Sequence, residues 1–195
     1  MKNRGASLAI ERIYNDKGLD GSFARKNSLV INEAIRFGLS LCGSVGCAVA
    51  TGCPQKEAGD LDFVTDSNSQ AVAFIARLES YLSSKKVHYQ KLVNHKTKFV
   101  PKFCVSHYRL KVSFWMEICV FVIDSKQLKV DSFFRDGVRV QNYRQMYDAA
   151  EELTKRDNKV RVSIDKVILE EGDDDVLRDG FEDFIDPYKK EEEAF

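Results

Sequence analysis

Asp60 and Asp62 stand two residues apart in the stretch Asp60-Leu61-Asp62-Phe63-Val64. Successive side chains of a strand point to opposite faces, so a strand here turns Leu61 and Phe63 to the core and both carboxylates to the other face. At a rise of roughly 3.3 Å per residue their Cα atoms stand about 6–7 Å apart, near enough for oxygens of both to converge on one small cation. Left unpaired, two such charges repel and one pKa rises; a divalent ion removes that cost. Mg²⁺ takes one or two carboxylates and completes its shell with substrate phosphates. Glu117 is a third acid, the one charge within Phe114-Trp115-Met116-Glu117-Ile118-Cys119-Val120-Phe121. An ionised carboxylate buried alone is very costly, so Glu117 requires a partner or a place at the sheet surface. One partner is a metal shared with Asp60 and Asp62, if the two strands are neighbours. The other is an ion pair with Arg109 or Lys111. Three carboxylates on two strands could hold one or two ions, and two ions roughly 3.5–4 Å apart clamp the attacking and leaving oxygens of a phosphoryl displacement.

A phosphate site is suggested further up the chain. Cys42-Gly43-Ser44-Val45-Gly46 lies between a short apolar stretch and a short helix. Glycine permits close approach of the backbone, a helix start offers unpaired N–H groups and the positive end of its dipole, and Ser44 adds a hydroxyl.

The elements that must position these groups can be read from the pattern. Asp60 to Thr65 reads as a strand, and Asp66-Ser67-Asn68 as turn and cap chemistry. An amphipathic helix follows, with Ala71, Phe74, Ile75, Leu78 and Leu82 at helical spacing. Upstream, Ser28 is expected to cap a helix running to about Phe37, with Ile31, Ala34 and Ile35 on one face. Leu39 to Cys42 suggests a short strand, and Val45 to Thr51 a short helix closed near Gly52. Downstream, Val87 to Val93 and Lys126 to Phe134 are candidate strands, and Pro101 disfavours a central strand over 99–106. Arg109 to Ile123 gives the strongest strand signal, Asp136-Gly137 a turn, and Tyr143, Met146, Tyr147, Ala150 and Leu153 a second amphipathic helix. Lys159 to Leu169 fits a short strand or a helix equally. The fold class expected is therefore α/β (α+β), a small mixed sheet flanked by helices. The expected organisation is a flexible lead-in over 1–27, with a short helix around Leu8 to Tyr14, then one domain over 28–169 and an acidic tail over 170–195.

The succession Leu41-Cys42-Gly43-Ser44, a spacer, Gly59-Asp60-Leu61-Asp62-Phe63-Val64, and then Met116-Glu117-Ile118 on a later strand resembles the nucleotidyltransferase superfamily related to DNA polymerase beta. The resemblance covers residues 28 to 169. It is nearest to the small single-domain members, such as the minimal nucleotidyltransferases of toxin–antitoxin and abortive-infection systems. The spacer before Asp60 is slightly long for that family, and the third acid is Glu where Asp is commoner. The resemblance implies a nucleotidyltransferase-like fold that moves a nucleoside monophosphate from a nucleoside triphosphate to a hydroxyl. By the same resemblance Asp60, Asp62 and Glu117 would hold Mg²⁺ or Mn²⁺, with Glu117 helping to activate the acceptor hydroxyl, and Gly43 and Ser44 would hold the triphosphate. ATP is the nucleotide expected, and the acceptor could be RNA, a protein or a small molecule. A partner protein or a second copy could cover the open face. The competing expectations are a degenerate fold kept as a protein-binding module and an RNA-binding adaptor.

Bulk composition narrows the class. The chain has 195 residues, 44% hydrophobic and 31% charged, which suits one globular domain. No apolar run reaches the roughly 18 residues of a bilayer span, and Met1-Lys2-Asn3-Arg4-Gly5 does not open a signal peptide, so a cytoplasmic chain with no membrane partner is expected. Five cysteines, Cys42, Cys47, Cys53, Cys104 and Cys119, are odd in number and suit reduced thiols; the C-x4-C-x5-C spacing of the first three is a poor zinc pattern. His88, His95 and His107 lack metal-ligand spacing. The net charge of zero hides a split: residues 170–195 hold 12 acidic and 3 basic residues, a net of −9, which leaves +9 on the rest. A basic body with an acidic tail suits a polyanionic partner, self-masking or simple solubility. Lys96, Lys98, Lys102, Arg109 and Lys111, interleaved with Phe99, Phe103 and Tyr108, could contact a nucleic acid or triphosphate, or form a solvated basic face.

Overall fold

A computed structural model of the chain describes residues 5–54, 56–94 and 101–149. The expected strand or helix over 159–169, the acidic tail, His95, Lys96, Lys98 and Phe99 lie outside the described residues, as do Ala150 and Leu153.

The described chain runs α1 (Gly5–Asn15), α2 (Ser22–Lys26), α3 (Ser28–Arg36), β1 (Ser40–Cys42), α4 (Gly43–Thr51), β2 (Asp60–Thr65), α5 (Asn68–Ser84), β3 (Tyr89–Val93), β4 (Cys104–Val112), β5 (Glu117–Ile123), β6 (Ser132–Arg135) and β7 (Val138–Gln141). Residues 143–149 are again helical. The strands form a seven-stranded sheet in the order β3-β4-β5-β2-β1-β7-β6. β2 and β5 are parallel, as are β1 and β7, and the remaining neighbours are antiparallel. The sheet is thus mixed and flanked by helices, as the pattern predicts. No helix among the described residues is long and apolar enough to cross a membrane.

β2 alternates as its sequence requires, with Leu61 and Phe63 buried and Asp60 and Asp62 half-buried. The apolar side of this strand meets α5, where Phe63 packs edge-on against Phe74 at 5.7 Å between ring centres. α5 begins where Ser67 accepts a hydrogen bond from the Gln70 backbone N–H, and it buries Ala71, Phe74, Ile75, Leu78 and Leu82, the five residues at helical spacing. A strand, a helix over one face and a parallel return strand leave the carboxylate face of β2 clear of α5.

Four expectations change. First, residues 5–27 are not a loose lead-in. α1 buries Ile10 and Tyr14, and Tyr14 meets Phe23 of α2 edge-on at 4.9 Å. Gly21 packs so closely on α1 that a Cβ there would collide with the Glu11 carbonyl oxygen. The glycines of this polar stretch fold α2 back onto α1 and do not loosen it. Second, the cap of α3 is Asn27, not Ser28. The Asn27 amide donates to the Phe23 carbonyl at 2.8 Å, and its oxygen accepts from the Met116 backbone N–H at 3.1 Å. One buried side chain therefore ties α2 to the turn between β4 and β5. Asn27→Ala should cost about 1–3 kcal/mol in urea unfolding, because it orphans a backbone donor, while Ser28→Ala should stay within about 0.5 kcal/mol. Equal losses would refute this account.

Third, the long apolar run from Arg109 to Ile123 is a hairpin. Its turn spans 113–116, where the Trp115 N–H donates to the Val112 carbonyl at 3.2 Å and the Trp115 ring stacks on Tyr81 of α5. Aromatic residues give the turn a strand-like composition. Fourth, Lys126 to Phe134 is strand only from Ser132, forming the edge strand β6. β6 joins β7 through Asp136 and Gly137, both at positive φ, as a two-residue hairpin turn demands.

Candidate active site

β1 passes into α4 without a loop. Cys42 is extended, Gly43 turns to a φ of +62°, and the helix starts there, two residues earlier than expected. Ser44 is exposed on its first turn. Gly52 closes the helix at its far end with a φ of +78°, as expected, and Arg135 of β6 donates to the Ala50 carbonyl at that end.

Register places the acids. Cys42 of β1 pairs with Asp62 of β2, so the start of α4 lies directly beside the Asp62 side chain. A Cβ on Gly43 would collide with Asp62 Oδ2. Gly43 is thus required twice, by its left-handed backbone and by the carboxylate pressed against it. On the other side of β2, Asp60 pairs with Glu117 and Asp62 with Cys119 in the parallel β5. The condition left open by the sequence, that the two acidic strands be neighbours, is met, with Glu117 at the register position of Asp60.

Glu117 has its ion-pair partners as well. Arg109 of β4 donates through Nε to Oε1, and its Nη2 also contacts that oxygen. Lys111 Nζ lies 3.3 Å from Oε2. Burial works against the Arg109 charge, but the hydrogen bond and charge of Glu117 outweigh it and hold the guanidinium pKa above its usual value. Among the described residues no three Asp, Glu, His or Cys side chains stand together in a metal-ligating arrangement, and Glu117 is turned onto the two cations.

The flanking thiols report the negative field of this face. Burial, and then the charge of Asp62, push the Cys42 thiol well above its ordinary pKa. Burial raises Cys119 too, with Asp62, Glu117 and Asp60 adding to it. Both therefore stay protonated at neutral pH and are poor nucleophiles.

The chain matches no family model and no curated protein. Among solved structures it resembles the crystal structure of the Megavirus polyadenylate synthase, at 10% sequence identity and a TM-score of 0.46. The superposition covers 93% of this chain and 32% of that one, so the chain spans about a third of that structure's length.

Sequence reasoning named Cys42 only within the turn before α4 and Cys119 only as a reduced thiol; the sheet register sets them on either side of Asp62. The signal was present: Cys119 lies two residues beyond Glu117 and so shares its face. Lys102, from the basic stretch, lies over the Phe103 ring at 5.2 Å, and Lys111 and Arg109 are drawn to Glu117. His107 is buried and stacks on Phe121 at 4.6 Å.

Proposed function

We propose that the chain is a nucleotidyltransferase that moves a nucleoside monophosphate from a nucleoside triphosphate to a hydroxyl acceptor. The observation that carries this reading is the pairing of Asp60 with Glu117 across parallel strands, with Asp62 on the same face beside the glycine that opens α4. The donor chemistry fits a hard divalent cation, Mg²⁺ or Mn²⁺. Asp60 and Asp62 would hold it, and Glu117 would join them once released from Arg109 and Lys111. Such a cation would neutralise charge developing on the transferred phosphoryl group. The acceptor oxygen forms a bond to the α-phosphorus, the bond to the β-phosphate oxygen breaks, and pyrophosphate leaves with that electron pair. The face carrying Glu117 supplies the carboxylate that takes the hydroxyl proton. Backbone N–H groups at the start of α4, with the Ser44 hydroxyl, would bind phosphate oxygens. ATP, and an RNA, protein or small-molecule acceptor, belong to the same proposal.

The engagement of Glu117 by two cations favours one second reading, a fold retained for binding with its chemistry lost. Calorimetric titration of the four nucleoside triphosphates, with Mg²⁺ and with EDTA, separates the two. Transferase function predicts binding that needs the metal and disappears in the Asp60→Ala, Asp62→Ala double variant. Absence of binding to folded wild-type chain would leave the second reading standing.

A further inference from the structure

We propose that Arg109 and Lys111 are exchangeable counter-ions. They hold Glu117 while the site lacks a divalent cation, and they pass to the polyphosphate when the cation takes Glu117. The proposal rests on the nucleotidyltransferase reading of the same face.

Arg109 and Lys111 alternate on one side of β4, and Glu117 and Cys119 on the same side of the adjoining β5, where Arg109 pairs with Cys119. Both cations reach Glu117, one at each carboxylate oxygen. Neither is deeply buried: the Arg109 side chain is 21% exposed and that of Lys111 46%. They can therefore re-aim without leaving a buried charge unpaired.

The charge pattern supplies the reason for an exchange. Asp60, Asp62 and Glu117 together would repel a polyanion, and a divalent cation alone does not cancel three carboxylates and a polyphosphate. Two cations beside the acids correct that deficit, but in the apo chain they occupy one of the three acids and compete with the metal for it. Metal and polyphosphate should then bind cooperatively, each supplying the partner that the other displaces. Competition alone follows from any ion pair on Glu117; competition together with cooperativity towards the polyphosphate marks the exchange.

Mn²⁺ binding to the full chain, read from the free-ion paramagnetic resonance signal, tests the first sign. Inorganic tripolyphosphate, which has no base to recognise, tests the second in the presence of Mg²⁺. Without polyphosphate, Arg109→Gln should tighten Mn²⁺ by about 2–5-fold, the range expected for a solvent-accessible ion pair. The same variant should weaken tripolyphosphate by about 10-fold, and Arg109→Lys should restore both towards wild type. Lys111→Gln, at a more exposed position, should shift both affinities the same way by less, and it keeps the test intact if Arg109→Gln does not fold. Unchanged or weaker Mn²⁺ binding in the folded glutamine variants would overturn the exchange. If Asp60→Asn leaves Mn²⁺ binding intact, the transferase reading itself fails, whatever Arg109 does.

Discussion

A Gly43→Ala chain is expected to lose about 2–5 kcal/mol of stability and its metal-dependent nucleotide binding in one step. The left-handed backbone at this position costs an alanine about 1–2 kcal/mol. The added methyl group would also meet the Asp62 carboxylate, and forced overpacking of this kind typically adds about 1–3 kcal/mol. Gly137 provides the control. Its φ is +77°, but a Cβ there would have nothing within 4 Å. Gly137→Ala should therefore show the backbone cost alone, about 1–2 kcal/mol. Urea unfolding of the two variants isolates the contact with Asp62 as their difference. Equal losses, or a Gly43→Ala chain that still binds nucleotide with wild-type affinity, would remove the close approach from the argument.

Asp62→Asn should separate stability from function. Asparagine keeps the shape and an acceptor oxygen beside α4 while deleting one of three like charges on the face. Thermal unfolding should shift by no more than the equivalent of about 0.5–1 kcal/mol. Mg²⁺-dependent nucleotide affinity should fall by about 100-fold or more, since disturbing residues one step removed from a metal already costs about 10–100-fold. The thiols give an independent readout. Burial is the larger cause of the raised pKa of Cys42 and Cys119, and the Asp62 charge adds to it at both, so its neutralisation should lower both and speed their alkylation above neutral pH. A chain that loses nucleotide binding with no change in thiol reactivity would show that Asp62 does not set the field on this face.

The acidic pair and its strand were legible in the sequence because an Asp-x-Asp alternating with Leu61 and Phe63 states both the element and the face in five residues. α5 was legible for the same reason at a different period. What could not be read was pairing. Nothing local in Glu117 says that β5 inserts between β2 and β4, so its place beside Asp60 had to wait for the sheet. Its ion pairs were foreseen as an alternative to the metal; that two cations would engage it at once was not. α1 and α2 were under-read because Gly18, Gly21 and a polar composition obscured a buried stripe of Ile10 and Tyr14. The turn at 113–116 was hidden because Phe114 and Trp115 have the composition of a strand.

The parallel pairing of β2 with β5 also sets an order in time. Glu117 follows Asp60 by 57 residues, and it can meet its partner only after α5, β3 and β4 have been made. At ribosomal speeds of about 5–20 residues per second, a growing chain holds both aspartates for about 3–11 s before the third acid exists. Through that interval β2 lacks the neighbour that completes its carboxylate face. A nascent chain therefore exposes a strand edge where the finished protein has its catalytic candidates, and the last of those acids arrives together with the strand that covers that edge.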